Sequence, residues 1–146
     1  MTQPARSSAP YGVLVLRVLL GCLFIAHLCW KFFILKGGFT GWWNGLLHNG
    51  YAPYVPPYVA SVEFAGAILL IPGILTRYVV IFAIPMMLGA AQFWAMRKGF
   101  FFTGAGCEMP LTWATLLVIQ ALLGDGPYAL VKSPEFRSVF AKLHKA

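Results

Sequence analysis

The chain has 146 residues, of which 60% are apolar and only 10% charged, with a mean hydropathy of +0.75. A soluble domain carries about 25% charged residues, so this composition excludes an ordinary soluble globule and points to a single-domain integral membrane protein. The net charge of +7 would suit nucleic acid in a soluble protein, but the basic residues mostly flank apolar runs, so orientation in a lipid bilayer accounts for them and no nucleic-acid partner is expected.

In chain order, residues 1–10 are short, polar and expected to be disordered. The first apolar run, 11–33, continues past the ~20 residues that cross a hydrocarbon core, with no small-residue cleavage site, and reads as a retained helix rather than a signal peptide. Residues 34–57 form a long loop with Phe39, Trp42, Trp43, Tyr51 and Tyr54, and Tyr58 lies just beyond it. Such aromatics gather at headgroup level, so this loop is expected to lie on the outer face, with Thr40 capping a short helix through Leu47. A second run, 58–75, closes at Pro72-Gly73, and only Thr76-Arg77 separates it from the third, 78–96, in which Pro85 predicts a kink. The fourth run, 109–123, is short unless residues 106–108 extend it. The basic tail, 135–146, is mildly amphipathic and suits an anionic inner leaflet.

Backbone polar groups in lipid must be satisfied within a helix, and the alternating polarity of a barrel is absent. The expected fold is therefore an all-α membrane protein: an antiparallel bundle of four transmembrane helices with an aromatic interfacial loop between the first two. The expected divisions are a disordered N-terminus over 1–10, the membrane domain over 11–131 and a basic tail over 132–146. An even number of spans puts both termini on one side. Six Lys/Arg fall on that side (Arg6, Arg77, Lys132, Arg137, Lys142, Lys145) and four on the other (Lys31, Lys36, Arg97, Lys98), so the termini are expected in the cytoplasm of a bacterial-type inner membrane.

Glu63 interrupts the second run, where a charge costs roughly 2.5–3.5 kcal/mol or more; such residues usually face a bundle interior and serve function. Counting along each helix places partners at similar depth. His27 lies six residues before the end of the first run, Glu63 five after the start of the second, and Gln92 four before the end of the third. Glu108 opens the fourth, with Thr112 one turn deeper. All five fall in the outer third of the bundle. Arg17, Gln120 and Asp125 form a second polar level toward the cytoplasm. Each has a plainer reading: His27–Glu63 as a packing hydrogen bond, Glu108 as a solvated interface residue, Arg17 as a snorkelling cation. The small residues Gly21, Gly66, Ala67, Gly89, Ala90 and Ala91 are expected at close helix contacts.

A carboxylate and an imidazole near a membrane surface suit proton exchange with a quinol, whose ring needs one or two polar contacts and whose tail fits between helices. His27, Glu63 and Glu108 are the candidate proton-handling groups, and Gln92, Thr112 and Arg17 the candidate quinone contacts. The three histidines, two of them outside the runs, do not support stacked haems. The cysteines, Cys22, Cys29 and Cys107, have no metal-finger spacing, and no flavin, nicotinamide or phosphate fingerprint occurs, so no bound metal is expected. Any redox centre then belongs to another subunit.

Over roughly residues 15–130 the chain resembles the DoxX family of small four-helix membrane proteins. The resemblance rests on "LRVLLGCLFIAHLCWKF", with Arg17, His27 and Lys31, and on "VEFAGAILLIPGILTR", where Glu63, Gly66, Gly73, Thr76 and Arg77 match the family's pattern. "MMLGAAQFW", "GFF", "CEMPLTWATLLVIQALLGDG" and "YAL" complete it, including Glu108 and Pro110. It implies association with terminal quinol oxidation or thiosulfate:quinone oxidoreduction, alongside larger membrane or membrane-attached redox subunits. Relatives often carry a Ser-Leu-Asp-like ending after the last Gly-x-Gly. Pro127-Tyr128-Ala129-Leu130-Val131 lacks that aspartate. The leading expectation is thus a small subunit of a quinone-linked oxidoreductase, with homo-oligomers open to it. The alternative is a non-catalytic structural or assembly subunit, and a small permease is a third reading with no inverted repeat behind it. A single cysteine placed in the C-terminal tail of intact cells is expected to resist impermeant thiol reagents and to label only after the membrane is opened; labelling from outside would reverse the orientation.

Overall fold

A computed structural model describes residues 8–134, and these are helical apart from connecting turns and one isolated bridge between Ile74 and Val131. The first helix, α1 (Ala9–Cys29), runs into a wide π turn, Trp30–Ile34, closed by the Leu35 amide on the Trp30 carbonyl at 2.8 Å. It is followed by α2 (Gly38–His48), α3 (Val55–Leu69), α4 (Thr76–Lys98), a single 3₁₀ turn (Phe102–Gly104) and α5 (Glu108–Leu123). Two stretches, Ala9–Ile34 and Thr76–Lys98, are long and apolar enough to cross a membrane, whereas Val55–Leu69 and Glu108–Leu123 are apolar but shorter.

The helix ends follow local chemistry. Pro56 and Pro57 sit in the first turn of α3, where a missing N–H costs nothing, so this helix starts three residues before the apolar run does. It stops at Leu69, not at residue 75. Pro72 cannot donate to the helix, and Gly73 turns left-handed (φ +75°) with its amide on the Leu69 carbonyl at 3.1 Å. The connection to α4 is therefore six residues, 70–75, rather than a dipeptide. Leu75 also has positive φ (+48°), and its amide is held by the Val131 carbonyl at 3.0 Å. Pro85 lies within a continuous α4. One turn before it, the Tyr58 hydroxyl donates to the Phe82 carbonyl at 2.6 Å, tying α3 to the proline turn. Thr40 caps nothing: α2 starts at Gly38, after a left-handed Gly37, and no side chain caps it. At the N-terminus α1 already includes Ala9 and Pro10; the tail 135–146, expected on the inner leaflet, lies outside the described residues.

Packing places α3 and α5 against α1, and α4 against both α3 and α5. Leu20, Phe24, Leu70, Val80, Ala83 and Leu117 are fully buried at the centre. Gly66 permits the α1–α3 contact, because a Cβ there would lie 2.3 Å from the Phe24 ring. Gly89, expected at a helix contact, has nothing within 4 Å of its would-be Cβ and is exposed. Large apolar side chains also cover the outside, among them Val15, Ile68, Phe82 and Leu122, each at least 64% exposed. A surface this apolar on every side suits lipid contact. Gly66→Ala is expected to destabilise the bundle by about 1–3 kcal/mol through overpacking, whereas Gly89→Ala should be neutral or stabilising by up to about 1 kcal/mol through helix propensity. Thermal unfolding of the two variants in the same detergent separates these outcomes.

Candidate functional site: a buried carboxylate between a lysine and a histidine

His27 and Lys31 are four residues apart, so they share one face of α1 as it enters the π turn. That face meets α3 at Glu63. The Lys31 ammonium hydrogen-bonds and ion-pairs with Glu63 Oε2, and His27 Nδ1 stands 3.7 Å from Glu63 Oε1. Glu63 is 2% exposed and Lys31 4%, whereas the His27 side chain is 48% exposed. The carboxylate is thus enclosed, neutralised on one oxygen by Lys31, and connected to the periphery on the other through His27.

Aromatic rings build the walls. The Lys31 ammonium lies 4.0 Å from the Trp42 ring centroid, so α2 covers the ion pair with a π face that favours the cation. Phe39 of α2 stacks on Phe32 of the π turn at 4.8 Å between centroids. On the other side Trp113 of α5 packs against the His27 ring at 4.7 Å and meets Phe24 edge-on at 5.8 Å. An unpaired buried charge costs several kcal/mol, and a matched pair recovers much of that only when both partners are present.

The other candidates from the outer level do not join this cluster. Glu108 opens α5, and its carboxylate accepts the Phe102 amide at 2.9 Å, holding the 3₁₀ turn against the helix start. Thr112 is exposed and donates back to the Glu108 carbonyl at 2.9 Å. Gln92 is exposed on α4. Among the described residues no hydrogen bond or ion pair links Glu108, Thr112 or Gln92 to His27 or Glu63. Equal depth on different helices sets only the height of a side chain; the rotation of each helix decides whether it points inward. Lys31, by contrast, was read above as a flanking charge and as part of the family motif, and not as a site residue. Its i,i+4 spacing from His27 was the signal that could have found it.

Arg17, the remaining candidate, belongs to a separate network at the opposite end. It is 1% exposed, and donates from Nη1 to the Asp125 carbonyl at 2.8 Å and from Nη2 to the Tyr128 carbonyl at 3.0 Å. The Asp125 carboxylate in turn accepts the Ser133 amide and hydroxyl, both at 2.8 Å, and the Arg77 amide at 3.4 Å. Arg77 Nε donates to the Ala121 carbonyl at 3.2 Å. Amides of Leu130 and Val131 bond the carbonyls of Pro72 and Gly73. Gly73 must be glycine here for a second reason: a Cβ would lie 2.3 Å from Arg17 Nη1. This clamp fastens α1, the 70–75 turn and the segment after α5 together. Among the described residues no group of three or more His, Cys, Asp or Glu is placed to hold a metal.

Helices of this composition, wrapped in apolar surface, define a small all-helical membrane protein. A model of the DoxX family matches residues 12–97, more than half of the chain. The protein therefore belongs to the DoxX family. The match spans Arg17, His27, Lys31, Glu63 and Arg77 and stops before Glu108, Thr112 and Asp125. Neither the curated proteins nor the solved structures contain a significant match.

Lys31→Met should destabilise the fold by about 3–5 kcal/mol, because it leaves a buried carboxylate without its cation. Adding Glu63→Gln to it should restore most of that loss, with a coupling well above the few tenths of a kcal/mol seen for independent sites. A double-mutant cycle read by chemical unfolding in mixed micelles checks this; additive effects would mean that the pair does not form.

Proposed function

We propose that this chain is a small inner-membrane subunit of a quinone-linked oxidoreductase complex, with four spans, cytoplasmic termini and a proton-handling site built on His27, Lys31 and Glu63 near the outer face. The observation that carries this reading is the enclosed Glu63 carboxylate, with Lys31 on one oxygen and the half-exposed imidazole of His27 facing the other. The shorter helices α3 and α5 complete their crossings with flanking apolar residues, such as those of the 70–75 turn.

Oxidation of a quinol releases two electrons and two protons. The electrons pass to a redox centre on a partner subunit. Neutral His27 accepts a proton from a quinol hydroxyl, and Glu63 stabilises the imidazolium that forms. Lys31 holds the Glu63 carboxylate in place while this happens. Release from His27 returns this proton to the outer surface, the second proton follows by the same route, and the reverse order serves quinone reduction. Gln92, on the exposed face of α4, and Glu108 and Thr112, at the start of α5, contribute only through a ligand that reaches them along the surface. Arg17 lies too far away to contribute, since ten residues of helix from His27 span about 15 Å. The fully buried Leu20, Phe24, Val80 and Leu117 separate the two polar levels. Such a dry layer favours proton exchange on one side over a continuous path, and it weighs against an ion-conducting role.

A second reading, a non-catalytic anchor or assembly subunit, is favoured by the completeness of the Lys31–Glu63 pairing: a charge pair so enclosed also serves to hold α1 on α3. Capture of the chain from mildly solubilised native membranes, with identification of every accompanying polypeptide, is expected to return a partner bearing a flavin, haem, copper or thiol centre. In that complex Glu63→Gln is expected to lower quinone-dependent turnover tenfold or more, about 1.4 kcal/mol in barrier, while the partner still co-purifies. Loss of the partner instead would favour the anchor reading, and unchanged turnover with unchanged assembly would remove Glu63 from the site.

A further inference from the structure

At the end of the bundle opposite Glu63, three buried polar atoms on three different helices lack a hydrogen-bond partner among the described residues. They are Arg17 Nε on α1, Thr76 Oγ1 on α4 and Gln120 Oε1 on α5. Their residues are 1%, 0% and 0% exposed. No other buried side-chain nitrogen or oxygen among the described residues is left in this state. Buried polar atoms are rarely unpaired in folded proteins, so three together at one level call for a common cause.

The Arg17 and Gln120 side chains are anchored at one corner, and Thr76 adjoins it through the chain. Arg17 Nη1 donates to the Asp125 carbonyl at 2.8 Å, and Gln120 Nε2 donates to the Gly124 carbonyl, the preceding peptide, also at 2.8 Å. The Arg77 amide, next in the chain to Thr76, reaches Asp125 Oδ1 at 3.4 Å. Arg17 and Gln120 thus meet at the Gly124-Asp125 corner where α5 ends, and Thr76 is one residue from the amide that reaches it. The Gln120 amide cannot be turned over to change this, because its oxygen would then face the Gly124 carbonyl oxygen. The unpaired atoms are also chemically complementary. Arg17 Nε–H only donates, Gln120 Oε1 only accepts, and the Thr76 hydroxyl does either. They do not pair with one another directly, as partners further apart than hydrogen-bond length do not.

We infer that this corner is a binding site for one internal water molecule, which accepts a hydrogen bond from Arg17 Nε and donates to Gln120 Oε1 and Thr76 Oγ1. Three bonds are the usual complement of a buried water. An anion is a poor occupant, because the Gln120 oxygen and the adjacent peptide carbonyls oppose it. A metal cation is equally poor beside the guanidinium. The water completes the join between α1, α4 and α5 that the Arg17–Asp125 clamp begins, and it makes Thr76 and Gln120 energetically dependent on one another without contact.

The test is a structure of the full chain in lipid nanodiscs at a resolution that shows ordered water, together with a double-mutant cycle on Thr76→Val and Gln120→Met read by thermal unfolding. The expected map has a peak within hydrogen-bond distance of Arg17 Nε, Thr76 Oγ1 and Gln120 Oε1. Each single substitution is expected to lower Tm by about 2–4 °C, and the double variant to lose clearly less than their sum. An empty position in the map with the side chains as described overturns the inference. So does a Thr76→Val variant that is neutral or more stable with additive behaviour in the pair, which is the result for atoms that have no shared water.

Discussion

Glu63 and Lys31 are both enclosed in an apolar interior, and neither is tolerable there alone. Their pairing joins α1 to α3 and sets the rotation of each helix, because any turn that separated the two would leave a bare charge among hydrocarbon side chains. Other features follow from that register. His27, one turn before Lys31, is carried to the free oxygen of the same carboxylate. Phe24, one turn earlier still, is carried onto Gly66, where only a missing side chain leaves room for its ring. The π turn and the Trp42 face of α2 then close over the ammonium.

The molecule treats polarity differently at its two ends. At the Glu63 end a few charged side chains face one another, and one of them, His27, opens to the periphery. At the Arg17 end the partners are mostly backbone carbonyls and amides around the ends of α3 and α5. Carbonyls left over where helices stop need donors, and a buried guanidinium with five N–H groups supplies several at once. The first arrangement leaves titratable groups able to exchange protons. The second consumes its donors in fastening chain segments, which is why the proposed proton-handling role falls to the first.

The same division explains why one set of site residues assembled and another did not. His27, Glu63, Gln92, Glu108 and Thr112 share a depth, and depth follows from counting along apolar runs. Inward orientation does not. On α1 the i,i+4 pair His27 and Lys31 doubled the polar signal on one face, and that face is the one turned to Glu63. Gln92 on α4 had no such companion and is exposed. Glu108 sits where α5 begins, so the nearest unpaired amide, that of Phe102, takes its carboxylate.

Composition and hydropathy alone determined that this is an all-helical membrane protein, because backbone in lipid has few other ways to satisfy its hydrogen bonds. Pro72-Gly73 marked the region of a turn, and the length of each apolar run set the approximate helices. The sequence pattern of Arg17, His27, Glu63, Gly66 and Arg77 was also enough to mark the family. Only the tertiary structure decided that α3 stops at Leu69, that Lys31 is a buried partner rather than a flanking charge, and that Arg17, Arg77, Asp125 and Ser133 form one network across 116 residues of sequence separation between Arg17 and Ser133. These depend on helix rotation and on contacts between distant segments. An apolar helix with hydrophobic residues on every side carries little periodicity from which its rotation could be read.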